Sequence, residues 1–167
     1  MSLYREHVRA GWKAALLASP FAVLWLVFKY RHLEPFSFGD LASQVGLAVL
    51  AAYTMSIFPD IDIRGKARTH ILSIVFILAV IFLIFRYPTT ALALLALFFG
   101  IALFPRHRGL THSIFMAVLV PAVFLLLPII YGDGFRDAGV SAYIVGVFSY
   151  ASHLRLDKAT PKRNKKR

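Results

Sequence analysis

Six apolar runs, at about 10–28, 41–58, 71–85, 91–104, 114–131 and 140–157, separated by short polar loops, decide what this chain can fold into. Inside a bilayer each run must satisfy its own backbone hydrogen bonds, which makes each of them a helix. A chain that is 59% hydrophobic, with a mean hydropathy of +0.69, is too apolar for an ordinary soluble domain and belongs in a membrane. The predicted fold is therefore all-α: a polytopic integral membrane bundle of about six transmembrane helices, with one domain over 1–161 and a basic tail over 162–167. No internal repeat is present.

The individual runs carry further signals. The first is too long for a signal-peptide core and lacks a small-residue cleavage site, so it reads as a retained helix, kinked at Ser19-Pro20. The second mixes Ser43, Gln44, Gly46, Thr54 and Ser56 with its apolar residues, which suits a central helix packed on others. The fourth is short for a full span and reads as tilted or partly re-entrant. The fifth should bend at Pro121 and Pro128, and a flexible acidic link over 132–139 should precede the sixth.

Charge gives the orientation. With six helices, both termini and the loops after the second and fourth runs share one side. That side carries fifteen of the nineteen Lys and Arg residues; Lys29, Arg31, Arg86 and Arg136 lie on the other. By the positive-inside rule the cation-rich side is cytoplasmic, which predicts a multi-pass inner-membrane protein with both termini in the cytoplasm. The net charge of +11 then follows topology, and nucleic acid is disfavoured as a partner.

The same side collects the residues that could do chemistry. The loop Arg106-His107-Arg108-Gly109-Leu110-Thr111-His112-Ser113 gathers two imidazoles, two guanidiniums and two hydroxyls between apolar runs. Two His five positions apart do not share a helix face, but Gly109 permits a turn and Thr111 is a good N-cap. His107 is then expected in the loop and His112 in the first turn of the next helix. Taken alone, a basic loop with two wetted histidines explains this stretch better. Asp60 and Asp62 follow Pro59, and in an extended segment both would point the same way. His153 and Asp157 stand at i and i+4, stacked on one helix face, a spacing that offers a nitrogen and an oxygen to one metal. His7 lies near the start, and His32 falls on the opposite side and reads as solvated. Ionisable groups from four segments at one membrane face are expensive unless used.

His7, Pro59-Asp60-Ile61-Asp62, the loop from His107 to Ser113, and His153 to Asp157 followed by Thr160-Pro161 resemble, in order and placement, the motifs of the YdjM-like family. These are small bacterial and archaeal membrane proteins described as membrane-bound metal-dependent hydrolases, with LexA-induced members among them. The resemblance covers nearly the whole chain and implies hydrolase activity. Two departures stand out: Ile63 and Lys66 occupy positions where family members often carry His and Ser, and the chain stops soon after Thr160-Pro161, where relatives often continue. His70 is the nearby candidate to replace the missing histidine.

With no cysteine, disulfides, Cys-ligated zinc and iron–sulfur clusters are excluded, and any metal must be held by His and carboxylate. The candidate ligands are His7, Asp60, Asp62, His107, His112, His153 and Asp157. They suit Zn, Mn or Fe, and seven are enough for two ions. A bound pair favours hydrolysis of a phosphoester or lipid-linked substrate. Asp60, Asp62, His112 and Arg108 are the expected catalytic groups, with Arg108 gripping an anionic substrate. The partners are then a small-molecule or lipid substrate and anionic headgroups at the tail. Two rival classes use the same ligands: a metal-ion or anion transporter, which would prefer them near the midplane on broken helices, and a non-catalytic metal-binding scaffold or regulator.

Overall fold

The computed structural model describes residues 2–30, 38–61, 65–103, 111–126 and 136–159. Among them are six α-helices and no strand: α1 (Ser2–Tyr30), α2 (Phe38–Ile57), α3 (Lys66–Ile84), α4 (Pro88–Leu103), α5 (Ile114–Leu119) and α6 (Arg136–Ala159). Tyr4–Phe28, Leu41–Asp60 and Lys66–Ile84 are long and apolar enough to cross a membrane, while Pro88–Gly100 and Ile114–Leu126 are apolar but shorter. The protein is an all-α membrane bundle.

Small residues hold its centre together. α1, α2 and α6 pack on one another more extensively than any other trio, and the residues between them include Ala18, Ala51, Ala52 and Ala142, all fully or almost fully buried. A Cβ placed on Gly11 would stand 2.3 Å from the Ser56 Cβ, so α1 and α2 can approach this closely only because residue 11 has no side chain. The Ser149 hydroxyl of α6 donates to the Gly11 carbonyl at 3.2 Å and ties the third helix to the same point. Large apolar side chains point outward instead: Leu16 and Leu17 are each 72% exposed, immediately before a fully buried Ala18. This arrangement suits lipid, where close backbone approach rather than burial of large side chains drives helix association.

α1 passes through Pro20. Proline has no N–H for the Leu16 carbonyl, and the Ser19 hydroxyl donates to that carbonyl instead, at 2.7 Å. At the far end of α3, Arg86 takes a positive φ of 64°. The Arg86 N–H reaches the Leu83 carbonyl, the Tyr87 N–H reaches the Phe82 carbonyl, and the Phe82 and Tyr87 rings meet edge to face. These are the paired bonds and apolar contact of a left-handed helix C-cap. Pro88 then starts α4, which packs back along α3.

The structure departs from the sequence expectations at four places. α1 begins by Ser2, so His7 lies inside the helix rather than in a polar leader. Phe58–Asp60 forms a 3₁₀ turn with Pro59 in its first positions, and Ile61 is helical (φ −63°, ψ −29°) with its N–H on the Phe58 carbonyl, so the expected extended Asp60–Asp62 segment does not exist at its first two residues. The fifth run is not one bent helix: α5 stops at Leu119, a turn covers 120–122, and helix resumes over 123–126. Pro121 cannot supply the N–H that would continue α5, and it packs instead against Gly146 of α6. Finally, 136–139 belongs to α6 and not to a flexible link.

Candidate metal centre

One end of the bundle brings together the start of α1, the 3₁₀ turn after α2, the residues leading into α5 and the end of α6. α6 supplies two groups because positions 153 and 157 lie one turn apart on its inward face, with Tyr150 on the same face. Asp60, His112, His153 and Asp157 each offer one ligand atom, and these atoms all lie within 4.8 Å of one another, so the cluster could hold a metal ion.

Asp157 is the hub. Its Oδ2 lies 3.0 Å from His112 Nε2 and 3.5 Å from His153 Nε2, and its Oδ1 lies 3.2 Å from His7 Nε2. Asp60 Oδ1 stands 3.7 Å from both His112 Nε2 and His153 Nε2. The two carboxylates and His112 are partly open to solvent, whereas His7 and His153 are buried, with their rings stacked at a centroid distance of 3.8 Å. Among the described residues, the open side of the cluster is that of Asp60, His112 and Asp157.

His153 shows best what the cluster is built for. Its Nδ1–H donates to the Ser56 carbonyl at 2.7 Å, which fixes the ring and directs Nε2 at the two carboxylates. That Nε2 is buried and has no hydrogen-bond partner. A neutral imidazole with its proton on Nδ1 presents a lone pair there to two carboxylate oxygens, an arrangement that a cation between them resolves. The backbone-carbonyl bond on the other nitrogen is the usual support of a metal-ligating histidine. The donor set of two imidazoles and two carboxylates fits a first-row divalent ion.

The approach to His112 differs from expectation. Ser113, not Thr111, caps α5: its backbone is extended (φ −94°, ψ 152°) and its hydroxyl accepts the Met116 N–H at 3.2 Å. His112 consequently precedes the cap instead of lying in the first turn. Thr111 is buried, its hydroxyl 3.2 Å from His112 Nδ1, and its carbonyl accepts the Tyr150 hydroxyl. Thus α6 holds both ligands of its own and the backbone that presents His112.

Of the candidate residues read from the sequence, His7, Asp60, His112, His153 and Asp157 meet here, His7 through Asp157 and through its stacking on His153. Asp62, His107 and Arg108 lie outside the described residues. His70 does not join them: it is exposed on α3, with Nδ1 3.0 Å from the Tyr53 hydroxyl, which is itself 2.6 Å from that of Tyr4. The supporting roles of Ser56, Thr111, Tyr150 and Gly11 escaped the sequence reading, which took Thr111 as a cap and Ser56 as a helix-packing residue. A backbone carbonyl carries no residue-type signal, and only the position of Tyr150 three residues before His153 pointed inward.

A family model described as YdjM inner membrane protein matches residues 18–163, most of the chain. The chain belongs to this family. The matched YdjM region contains Asp60, His112, His153 and Asp157; His7 lies ahead of it. No curated protein and no solved structure matches.

Proposed function

We propose that this YdjM-family protein is a membrane-bound metal-dependent hydrolase whose His/Asp centre faces the cytoplasm and acts on a phosphoester or lipid-linked substrate. The observation that carries the reading is the buried, unpartnered Nε2 of His153, aimed at Asp60 and Asp157 with His112 completing the set. His153, His112, Asp60 and Asp157 would hold a first ion of Zn, Mn or Fe type. His7 is positioned to steady Asp157, and Asp62 and His107 are proposed as ligands for a second ion. When bound, such an ion lowers the pKa of water to about 7 and polarises a phosphoryl oxygen.

The chain's own residues supply the rest. The Ser56 carbonyl and the Thr111 hydroxyl hold the His153 and His112 rings in place before substrate arrives, which spares that ordering during reaction. Asp60, a carboxylate on the open side, is proposed to take a proton from water, while both nitrogens of His112 are engaged, Nε2 in the cluster and Nδ1 at Thr111. Arg108 is proposed to bind the anionic group of the substrate. Burial of His7 and His153 restricts water to one side of the cluster.

A transporter reading is less well supported, because the ligands collect at one end of the bundle rather than at mid-depth. Cytoplasmic termini and contact of the basic tail with anionic lipid belong to the proposal and are tested by a C-terminal reporter fusion and by vesicle binding.

The deciding experiment is metal analysis by mass spectrometry on detergent-purified wild type, His112→Ala and Asp157→Ala. Near-stoichiometric Zn, Mn or Fe in the wild type, lost in both variants, supports one shared centre and justifies a phosphoester and lipid-substrate screen. No retained metal after reconstitution with each ion sinks the hydrolase reading.

A further inference from the structure

Between α2, α3, α4 and the short helical stretch 123–126 lies an apolar crevice of about 450 Å³, within the range of roughly 300–1,000 Å³ typical of ligand pockets. It exists because α3 packs closely on α4 but approaches α2 at few points. The crevice runs from Phe58 and Ile71, both buried, to Phe85 and Tyr87, both exposed. From Ile71 to Phe85 that is about 21 Å along α3 at the helical rise per residue. It is thus closed beside the metal cluster and open at the remote end of the bundle.

Its lining offers an occupant almost nothing polar. The Thr54 hydroxyl donates to the Leu50 carbonyl of its own helix at 2.7 Å, and the other described side chains along the walls are apolar until Tyr87 at the mouth. Beside Tyr87, Arg86 is exposed, held there by the left-handed cap that ends α3. An apolar slot with an aromatic hydroxyl at its mouth, preceded in sequence by the exposed guanidinium-bearing Arg86 on the neighbouring position, suits a membrane component with an acyl chain for the slot and a phosphate for the rim. An empty slot would cost its lining side chains their dispersion contacts.

We infer that the crevice is a binding site for one acyl chain of an anionic glycerophospholipid drawn from the leaflet remote from the metal cluster, with Arg86 on its phosphate and the chain terminus against Phe58. This lipid is not the substrate of the proposed hydrolase. Its headgroup would stand a full span away from the cluster, and the Phe58 ring, packed on Phe98 and Tyr150, closes the inner end. The inference is therefore independent of any metal.

The test uses the full-length protein in vesicles doped with phosphatidylglycerol carrying a diazirine at the acyl terminus. After photolysis, the labelled peptides are mapped by mass spectrometry. The expected result is label on Met55, Phe58, Ile71 and Val75 about fivefold above that on the lipid-facing Leu16 and Leu17, a preference of roughly 1 kcal/mol. Leu78→Trp, which fills the slot, should abolish that excess; should this variant fail to fold, the ratio within the wild type still decides. Phosphatidylcholine with the same chain should label the slot less, and Arg86→Gln should erase the difference. Even labelling of slot and outer surface would overturn the inference. Equal labelling by the two lipids would overturn its headgroup half.

Discussion

The two halves of the bundle are joined by opposite means. α1, α2 and α6 meet through glycine, alanine and serine, closely enough that a side chain on Gly11 has no room. α3 packs on α4, with Ala79 and Ala91 buried, but approaches α2 at few points, and an apolar crevice lined by Leu, Ile and Phe is left between them. Every described ligand of the cluster except His112 sits on the close-packed trio or on the turn that directly continues it, and α6 anchors His112 through Tyr150. Metal geometry tolerates errors of only a few tenths of an ångström, so the ligands belong where backbones touch. An apolar occupant needs space, and that belongs where they do not.

The largest way to break this contrast is at the hub. Asp157→Ala removes the carboxylate shared by three histidines and should reduce metal affinity by more than the roughly 10–100-fold that loss of a merely supporting group costs. Leu78→Ala, in the loose half, should leave metal content unchanged in the same assay. Gly11→Val comes next. It drives a side chain into Ser56, whose carbonyl orients His153, so it should cost about 1–3 kcal/mol of stability in detergent unfolding and lower metal content together. If stability falls while metal content does not, the close packing and the cluster are separable.

These outcomes bear on what could be read beforehand. The apolar runs at 41–58 and 91–104 give α2 and α4 to within three residues at each end, because in both the apolar segment and the helix nearly coincide. The agreement fails at His7 and Pro121. A helix can continue past its apolar segment, as α1 does towards Ser2, and apolarity can continue past a helix, as it does where Pro121 ends α5. The His153–Asp157 pair was legible from its helical spacing, and the meeting of distant segments from the sidedness of charge. The supports were not: Ser56 acts through its carbonyl, Gly11 through the lack of a side chain, and Thr111 through its carbonyl as well as its hydroxyl.

Smaller effects sharpen the comparison. Tyr150→Phe deletes the hydroxyl that α6 donates to the Thr111 carbonyl and should cost about 1 kcal/mol, with a modest loss of metal affinity as His112 loosens; an unchanged affinity would mean that α5 positions His112 unaided. Arg86→Gly relieves the left-handed backbone at the remote end and should raise stability by up to about 1 kcal/mol with no effect on metal. Loss of stability there would show that the Arg86 side chain contributes more than its backbone strain removes.

The stacking of His7 on His153 also governs the order in which the molecule can mature. During synthesis α1 enters the membrane first and α6 last, and two of the four clustered ligands, with the tyrosine that holds a third, arrive only with that final helix. Until then His7 has neither its carboxylate nor its ring partner, and the groove at Gly11 is open to lipid. Assembly of the cluster is thereby deferred to the end of translation, and a chain interrupted before α6 emerges from the ribosome carries only part of it.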